Sequence, residues 1–339
     1  MGVQALLTKN TDNPLVRLEN LSKVFSVHSS RGLGTTDITA VKNVSFDIKK
    51  GETFGLVGES GCGKSTLSKI ALRLLNATSG TAYYEGKDLY KMKYRELVNI
   101  RRQMQVIFQD PYDSLNPRLS VEELVAEPLI VHRYGNRARR RERIEELFHQ
   151  VGLPPQLMTR YPHQLSGGQR QRVCIARSLT VSPSFIVCDE AVSALDVSIQ
   201  AQILNLLLDL KRRFKLTYLF ISHDLSVVKF VSDRIGVMYF GRLVELADTE
   251  TLFSRVLHPY THALLSAVPD PDPDTQKRRV LLGGSVPSLF NPPSGCVFHN
   301  RCPFTEPICS EEEPPFIDMG NSHFAACHFA GKLNLKIDF

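Results

Sequence analysis

The stretch Gly58-Glu59-Ser60-Gly61-Cys62-Gly63-Lys64-Ser65-Thr66 decides the fold of this chain. It matches G-x-x-x-x-G-K-[ST], the pattern of a loop that holds phosphate groups. The apolar segment Thr53–Val57 predicts a buried strand directly before it, and a helix is expected from Lys64 to about Leu75. Because strand, loop and helix follow in this order, a chance glycine-rich turn is a poor alternative. The stretch predicts a nucleotide phosphate site.

The loop residues are expected to hold phosphate with both backbone and side chains. Glycines let successive N–H groups turn inward, and the following helix adds the positive end of its dipole. Lys64 supplies a mobile charge for the β- and γ-phosphates, while the Ser65 hydroxyl is a candidate Mg²⁺ ligand. The other residues expected to contact the nucleotide are Gly58, Ser60, Gly61, Cys62, Gly63 and Thr66.

Short apolar strands alternate with helical segments along the rest of the chain. The predicted strands are Leu15–Leu18, Lys23–Val27, Val41–Ile48, Met104–Phe108, Phe185–Cys188 and Thr217–Ser222. Helices are predicted over 121–151, 168–179 and 199–214. This alternation predicts an α/β fold with a parallel sheet covered by helices.

Two carboxylates follow the apolar run Phe185–Cys188. In a sheet of this class, such a strand end lies beside the phosphate loop. Asp189 is expected to hold Mg²⁺ directly or through water, and Glu190 to orient or deprotonate the attacking water. In the alternative interpretation the pair caps the next helix, which suits Glu190 better than Asp189.

Leu165-Ser166-Gly167-Gly168-Gln169 is a second candidate phosphate-binding element. Its hydroxyl, its glycine N–H groups and the start of a predicted helix suit an anion. Two such elements far apart in one chain indicate a nucleotide that is shared with a partner, which points to ATP-driven work.

Six motifs in this order resemble the ATP-binding subunits of ABC transporters: the phosphate loop, Gln109, 165–169, 185–190, 193–196 and His223. The resemblance covers about residues 15–265. It implies a P-loop nucleotide-binding domain at 15–268, with a parallel-sheet core, an antiparallel β subdomain and an α-helical subdomain at about 110–180. In that family two cassettes face head to tail. Each ATP lies between the phosphate loop of one cassette and the signature, the element at 165–169 in this chain, of the other.

The same resemblance implies a role for each motif residue. Ser166, Gly167, Gly168 and Gln169 would contact ATP held by the partner cassette. Asp196 would end the loop that links the two sites, and His223 would contact the γ-phosphate. The implied catalytic residues are Glu190, His223 and Gln109, and the implied Mg²⁺ ligands are Ser65, Gln109 and Asp189.

Phe25 and Val41 stand where that family packs an aromatic and an aliphatic residue on adenine. Phe25 is equally compatible with a core position in a strand. The intervening insertion, 26–36, obscures the alignment of the two residues, so both interpretations stay open here.

Further segments resemble the dipeptide and oligopeptide importer ATPases: 111–118, 160–172, 189–207, 258–269 and 296–303. Nickel, glutathione and other small-solute importers share them, so the cargo is open. The implied partners are a second, paralogous ATPase subunit, two transmembrane permease subunits and, indirectly, an extracytoplasmic solute-binding protein. The rival hypothesis is a soluble ABC-type ATPase acting on ribosomes or nucleic acid, but neither two cassettes nor a long coiled coil is apparent.

Four of the seven cysteines lie in the Pro- and Cys-rich extension predicted at 269–339: Cys296, Cys302, Cys309 and Cys327. Their spacing, C-x5-C-x6-C-x17-C, is wider than the C-x2–4-C pairs of most structural zinc sites. Four thiolates suit a four-iron cluster, and the subfamily resemblance implies [4Fe-4S]. Zinc and free thiols remain alternatives, with His299, His323 and His328 as substitute ligands.

Composition limits the remaining classes of function. The 339 residues are 22% charged and 42% apolar, with a net charge of +6, as in a soluble globular protein. No apolar run approaches the ~18 residues that cross a bilayer, and the lead at 1–14 lacks signal-peptide features. We expect a peripheral protein on the cytoplasmic face of the inner membrane. The basic run 137–143 contains no stacking aromatics, which argues for a solvated helix face rather than nucleic acid binding; lipid headgroups or the loops of a membrane partner are the remaining alternatives.

Overall fold

The computed structural model describes residues 14–28, 35–268, 282–284 and 287–335. Its strands are β1 (Val16–His28), β2 (Thr35–Ile48), β3 (Thr53–Val57), β4 (Ser79–Tyr84), β5 (Lys87–Asp88), β6 (Met104–Ile107), β7 (Phe185–Asp189), β8 (Thr217–Ser222), β9 (Arg234–Tyr239), β10 (Arg242–Asp248), β11 (Ile317–Asp318) and β12 (Phe324–Ala325). Its helices are α1 (Lys64–Ala71), α2 (Tyr94–Arg101), α3 (Pro111–Ser114), α4 (Val121–Val131), α5 (Arg137–Val151), α6 (Gly167–Leu179), α7 (Val197–Phe214), α8 (Leu225–Val231), α9 (Thr249–Ser254), α10 (Pro259–Ser266) and α11 (Pro307–Glu311).

The described residues form two compact units. The first lies within 1–49, 54–91 and 223–339, and the second comprises 50–53 and 92–222. The cassette limits of 15–268, the helical subdomain at about 110–180 and the extension from 269 stay predictions. The Pro-rich segment 269–274 that motivated the last boundary, and nearly all of the lead 1–14, lie outside the described residues.

The first unit contains the antiparallel β subdomain that was expected, a sheet in the order β2-β1-β4-β5. Strand β1 joins the two predicted strands Leu15–Leu18 and Lys23–Val27, because irregular pairing with β2 between Leu18 and Val24 absorbs the break in pattern. In the same unit β3 pairs in parallel with β9, and β9 pairs antiparallel with β10. Every residue of β3 is buried, so the phosphate loop starts from a rigid strand.

The second unit contains three parallel strands, β6, β7 and β8, in that order. All residues of β7 and β8 are buried, in keeping with the continuous apolar runs that predicted them. Helices α4, α5 and α6 pack on one another in this unit. The strands and helices observed in both units therefore confirm the predicted α/β class.

The segment predicted as helical over 121–151 is two helices, α4 and α5. Arg133 and Gly135 adopt positive φ angles of 53° and 50°, which ends the first helix. The Asn136 side chain then accepts a hydrogen bond from the Arg139 N–H at 3.0 Å and starts the second. Along α5, Arg141 pairs with Glu145 at 3.1 Å, as expected of a solvated helix face.

Helix α1 is shorter than predicted, ending at Ala71 rather than near Leu75. Arg73 has a left-handed φ of 48°, a conformation that cannot continue an α-helix. Within the described ranges, no helix combines the length and the apolar character required to cross a bilayer.

Candidate functional site

The phosphate loop lies in the first unit, between the buried strand β3 and the start of α1. Gly63 caps α1 with a φ of 105°, and a Cβ atom at this position would collide with the Ala40 carbonyl oxygen. Glycine is therefore required by both conformation and space. Cys62, which is itself a loop residue, is buried, and this burial raises the pKa of its thiol.

Lys64 points back into the loop, with only 4% of the residue exposed. Its Nζ donates hydrogen bonds to the carbonyl oxygens of Gly58 at 2.7 Å and Glu59 at 2.9 Å. The ammonium group thus lies where the loop backbone surrounds it. Ser65 and Thr66, the next residues of α1, are half-buried, whereas Ser60 and Gly61 are exposed at the tip of the loop.

The two predicted carboxylates of the second unit lie at the end of β7: Asp189 is its last residue, and Glu190 follows it directly. Asp189 is 6% exposed, while Glu190 is half-buried and has a left-handed φ of 50°. Gln109 follows the neighbouring strand β6, and its Nε2 donates to Glu190 Oε2 at 2.7 Å. The structure thus brings together Gln109 and Glu190, two side chains predicted from separate motifs.

The signature Leu165–Gln169 begins helix α6. The Ser166 hydroxyl accepts from the Gln169 N–H at 3.3 Å, and Gln169 Oε1 accepts from the Ser166 N–H at 3.0 Å. This reciprocal capping box orients both side chains at an exposed helix start. A Cβ atom on Gly168 would lie 2.8 Å from Ile199 Cγ2, so α7 approaches α6 closely at this position.

The remaining predicted residues occupy strand and helix ends. His223 is exposed in the first unit and directly precedes Asp224, which caps α8. Asp196 is exposed at the start of α7 in the second unit. Phe25 is 37% exposed, but Val41 is fully buried, and the two are not paired across the sheet: Val41 faces Lys23 and Phe25 faces Ile38.

All four C-terminal cysteines line one small cavity of about 20 Å³ in the first unit. His299 and His328 line it too, whereas His323 bonds through Nε2 to the buried Glu245 carboxylate at 2.7 Å. Burial raises the pKa of the Cys302 and Cys327 thiols to about 11. Across the described part of the chain, no three His, Cys, Asp or Glu side chains converge to hold a single metal ion.

The sequence reasoning missed two residues that contact the phosphate loop. Arg301 forms two hydrogen bonds with the Glu59 carboxylate, which raise the pKa of the Arg301 guanidinium. The Tyr260 hydroxyl accepts a hydrogen bond from the Glu59 N–H at 2.8 Å. Both lie in segments that resemble the importer ATPases, 258–269 and 296–303. No sequence pattern, however, predicts that residues so far along the chain contact the loop.

Two family descriptions match the chain: ABC transporter over residues 41–193, and oligopeptide/dipeptide transporter, C-terminal region, over residues 244–309. The chain is 48% identical over 332 residues to the oligopeptide transport ATP-binding protein AppF of Bacillus subtilis. That alignment covers 95% of this chain and 99% of the relative.

Solved ATP-binding cassettes resemble the fold. The dimeric post-hydrolysis cassette MJ0796 bound to ADP and Pi has a TM-score of 0.62 and 33% identity, covering 69% of this chain and 98% of that one. CbiO1 from Clostridium perfringens, part of the ABC transporter complex cbiONQ, has a TM-score of 0.60 and 26% identity, covering 71% and 91%.

Proposed function

We propose, on the premise that this chain belongs to the ABC transporter family among its oligopeptide transport ATP-binding proteins, that it hydrolyses ATP to drive the import of di- and oligopeptides. One observation carries the proposal: a single chain matches both an ABC cassette and an oligopeptide transporter C-terminal region. The cassette supplies ATP hydrolysis, and the second region assigns the class of transporter.

Catalysis rests on positioning and on charge stabilisation, as in other phosphoryl transfers. Lys64 holds the β- and γ-phosphates, and His223 contacts the γ-phosphate. Ser65, Gln109 and Asp189 offer the oxygen atoms that Mg²⁺ prefers, and the bound ion would neutralise phosphate charge. Glu190 orients the attacking water or takes its proton.

The working assembly is a head-to-tail pair of cassettes, in which Ser166–Gln169 of one chain contact ATP on the other. The similar cassette MJ0796 is dimeric with ADP and Pi, which supports pairing of two cassettes. The pair consists of this chain and a paralogous ATPase subunit. Two transmembrane permeases hold it at the cytoplasmic face of the inner membrane, where they receive peptide from an extracytoplasmic solute-binding protein.

Uptake of a labelled tripeptide by cells that lack this chain tests the function. Wild-type chain should restore uptake, whereas Glu190→Gln should not. Competition with unlabelled peptide, glutathione and Ni²⁺ identifies the cargo. If glutathione or Ni²⁺ competes better than unlabelled peptide, that solute replaces peptide as the proposed cargo. Co-purification with ribosomes or nucleic acid instead of permease subunits would favour the soluble ABC-type ATPase.

The cysteine cavity is proposed to hold a [4Fe-4S] cluster. The donor set fits, since four thiols from distant positions line one cavity. A cluster separates its thiolate ligands more widely than a single ion does, so the lack of convergence on one point argues more strongly against zinc than against a cluster. Once bound, the group would cross-link a segment that contains little regular structure.

Anaerobic purification followed by iron, sulfide and zinc analysis tests the cluster. Iron, acid-labile sulfide and visible absorption are expected, and Cys302→Ser should lose them. Cys174→Ser is the matched control, because Cys174 is buried in α6 of the other unit. A wild-type protein with stoichiometric zinc, or without any metal, would overturn the assignment.

A further inference from the structure

An ion pair joins the phosphate loop to the cysteine-rich C-terminal segment. Arg301 Nη1 donates to Glu59 Oε2 at 2.8 Å, and Nη2 donates to Oε1 at 3.0 Å. The Arg301 side chain is 8% exposed and that of Glu59 26%. Two parallel charge-assisted bonds fix the direction of both side chains, which a single contact on the surface would not do.

Glu59 is held at three points, two of them from outside the loop. Its N–H donates to the Tyr260 hydroxyl at 2.8 Å, and its carbonyl accepts from Lys64 Nζ at 2.9 Å. Arg301 holds the carboxylate. Tyr260 is itself fully buried and packs on Phe298, with ring centroids 5.4 Å apart, so the support behind Glu59 is rigid.

Arg301 belongs to the backbone segment that lines the cysteine cavity, and this segment sets its position. It ends the short turn His299–Arg301, and Cys302 follows it directly. The His299 N–H donates to the Cys296 carbonyl at 3.0 Å, and the Cys302 N–H donates to the His299 carbonyl at 3.3 Å. A rearrangement of Cys296 or Cys302 therefore displaces the backbone that carries Arg301.

We propose that Arg301 is a positioning residue for the phosphate loop, and that through Glu59 it makes nucleotide affinity depend on the state of the cysteine cavity. This inference rests on the proposed ATPase function. The guanidinium neutralises the Glu59 carboxylate, which would otherwise repel phosphate, and it preorganises the loop backbone before the nucleotide arrives. It touches neither the nucleotide nor the attacking water.

Calorimetric titration of the full-length chain with MgADP tests the proposal. Arg301→Ala should raise Kd about tenfold, a typical coupling between sites, and should raise the KM for ATP more than it lowers kcat. Arg301→Lys keeps the charge without the two-pronged contact, so its Kd should lie between those of the wild-type chain and Arg301→Ala. In a Glu59→Gln background the effect of Arg301→Ala should largely disappear, because the partner carboxylate is gone.

Arg234→Ala is the matched control. It breaks a longer, one-pronged ion pair with Asp47 at 3.5 Å in the same unit, and Arg234 pairs with Phe54, near the end of β3 away from the loop. It should lower the melting temperature and leave Kd unchanged. An Arg301→Ala protein that stays folded with wild-type Kd would overturn the proposal, as would an equal Kd change in Arg234→Ala.

The proposed coupling between the cysteine cavity and nucleotide affinity is tested by a separate measurement. Cys302→Ser should weaken MgADP binding in the otherwise wild-type chain and add little in the Arg301→Ala background. Fully additive effects would remove the proposed route through Arg301. If wild-type chain failed to bind MgADP at all, the proposed function would fail, whereas tight wild-type binding with an unaffected Arg301→Ala variant would refute only this inference.

Discussion

Gln109 Nε2 donates a hydrogen bond to Glu190 Oε2 at 2.7 Å, although 81 residues separate them. The contact forms because β6 and β7 are parallel neighbours, with Ile107 opposite Cys188, and each side chain follows the carboxyl end of its strand. The left-handed backbone of Glu190 costs about 1–2 kcal/mol. Its N–H donates to the Ile221 carbonyl at 3.0 Å, which helps to retain this conformation.

Glu190→Gln should retain nucleotide binding while turnover falls by about 10²–10⁴-fold. The amide preserves the size of the side chain and an oxygen for the Gln109 hydrogen bond, but it cannot take a proton from water. Phosphate release and MgATP binding, measured on the same preparation, check this outcome. Glu146→Gln, on the exposed face of α5, is the control and should behave as wild type. Normal hydrolysis by Glu190→Gln would refute the catalytic role.

Ser166→Ala and Ser120→Ala should cost the same stability but differ in function. Each serine caps a helix in a reciprocal box, with Gln169 and Glu123 respectively, so each substitution should lower the free energy of unfolding by about 1 kcal/mol. Only Ser166 belongs to the proposed partner-ATP contact. Urea unfolding and ATP-dependent dimerisation separate the two effects, and equal dimerisation by both variants would argue against the signature role.

Phe25→Ala and Val41→Ala should separate adenine stacking from core packing. Phe25 is partly exposed, so its loss should raise Kd for ATP up to about tenfold if the ring stacks on the base. Val41 is fully buried, so its truncation should instead lower stability by about 1 kcal/mol or more. Nucleotide titration and thermal melting decide this. Unchanged ATP affinity in Phe25→Ala would assign the residue to the sheet alone.

Gly63→Ala should be more damaging than Gly61→Ala, although both glycines have positive φ angles. Both substitutions bear a conformational cost of about 1–2 kcal/mol. A Cβ atom on Gly61 meets open space, whereas one on Gly63 meets the Ala40 carbonyl oxygen. Chemical unfolding should show the larger loss for Gly63→Ala, together with loss of nucleotide binding. Equal stability of the two variants would mean that the loop relaxes around the added methyl group.

Regular elements were predictable wherever local pattern and burial agree. Strand β3 has the predicted limits, because a short apolar run followed by a glycine-rich loop is typical of a fully buried strand. Element ends were less predictable: α1 stops early at a left-handed Arg73, and 132–136 interrupts the helical segment 121–151. These departures depend on backbone angles of single residues, to which apolar periodicity is insensitive.

The sequence by itself determined which motifs the chain carries: a candidate phosphate loop, two carboxylates after an apolar run, and four cysteines that are candidate ligands. Such motifs are local, so their spacing along the chain places their atoms. Only the tertiary structure decided which distant groups meet. The Glu59–Arg301 pair spans 242 residues, the four cysteines share one cavity, and Val41 is buried while Phe25 is not. Contacts of this kind arise from packing and strand order, and no sequence interval encodes them.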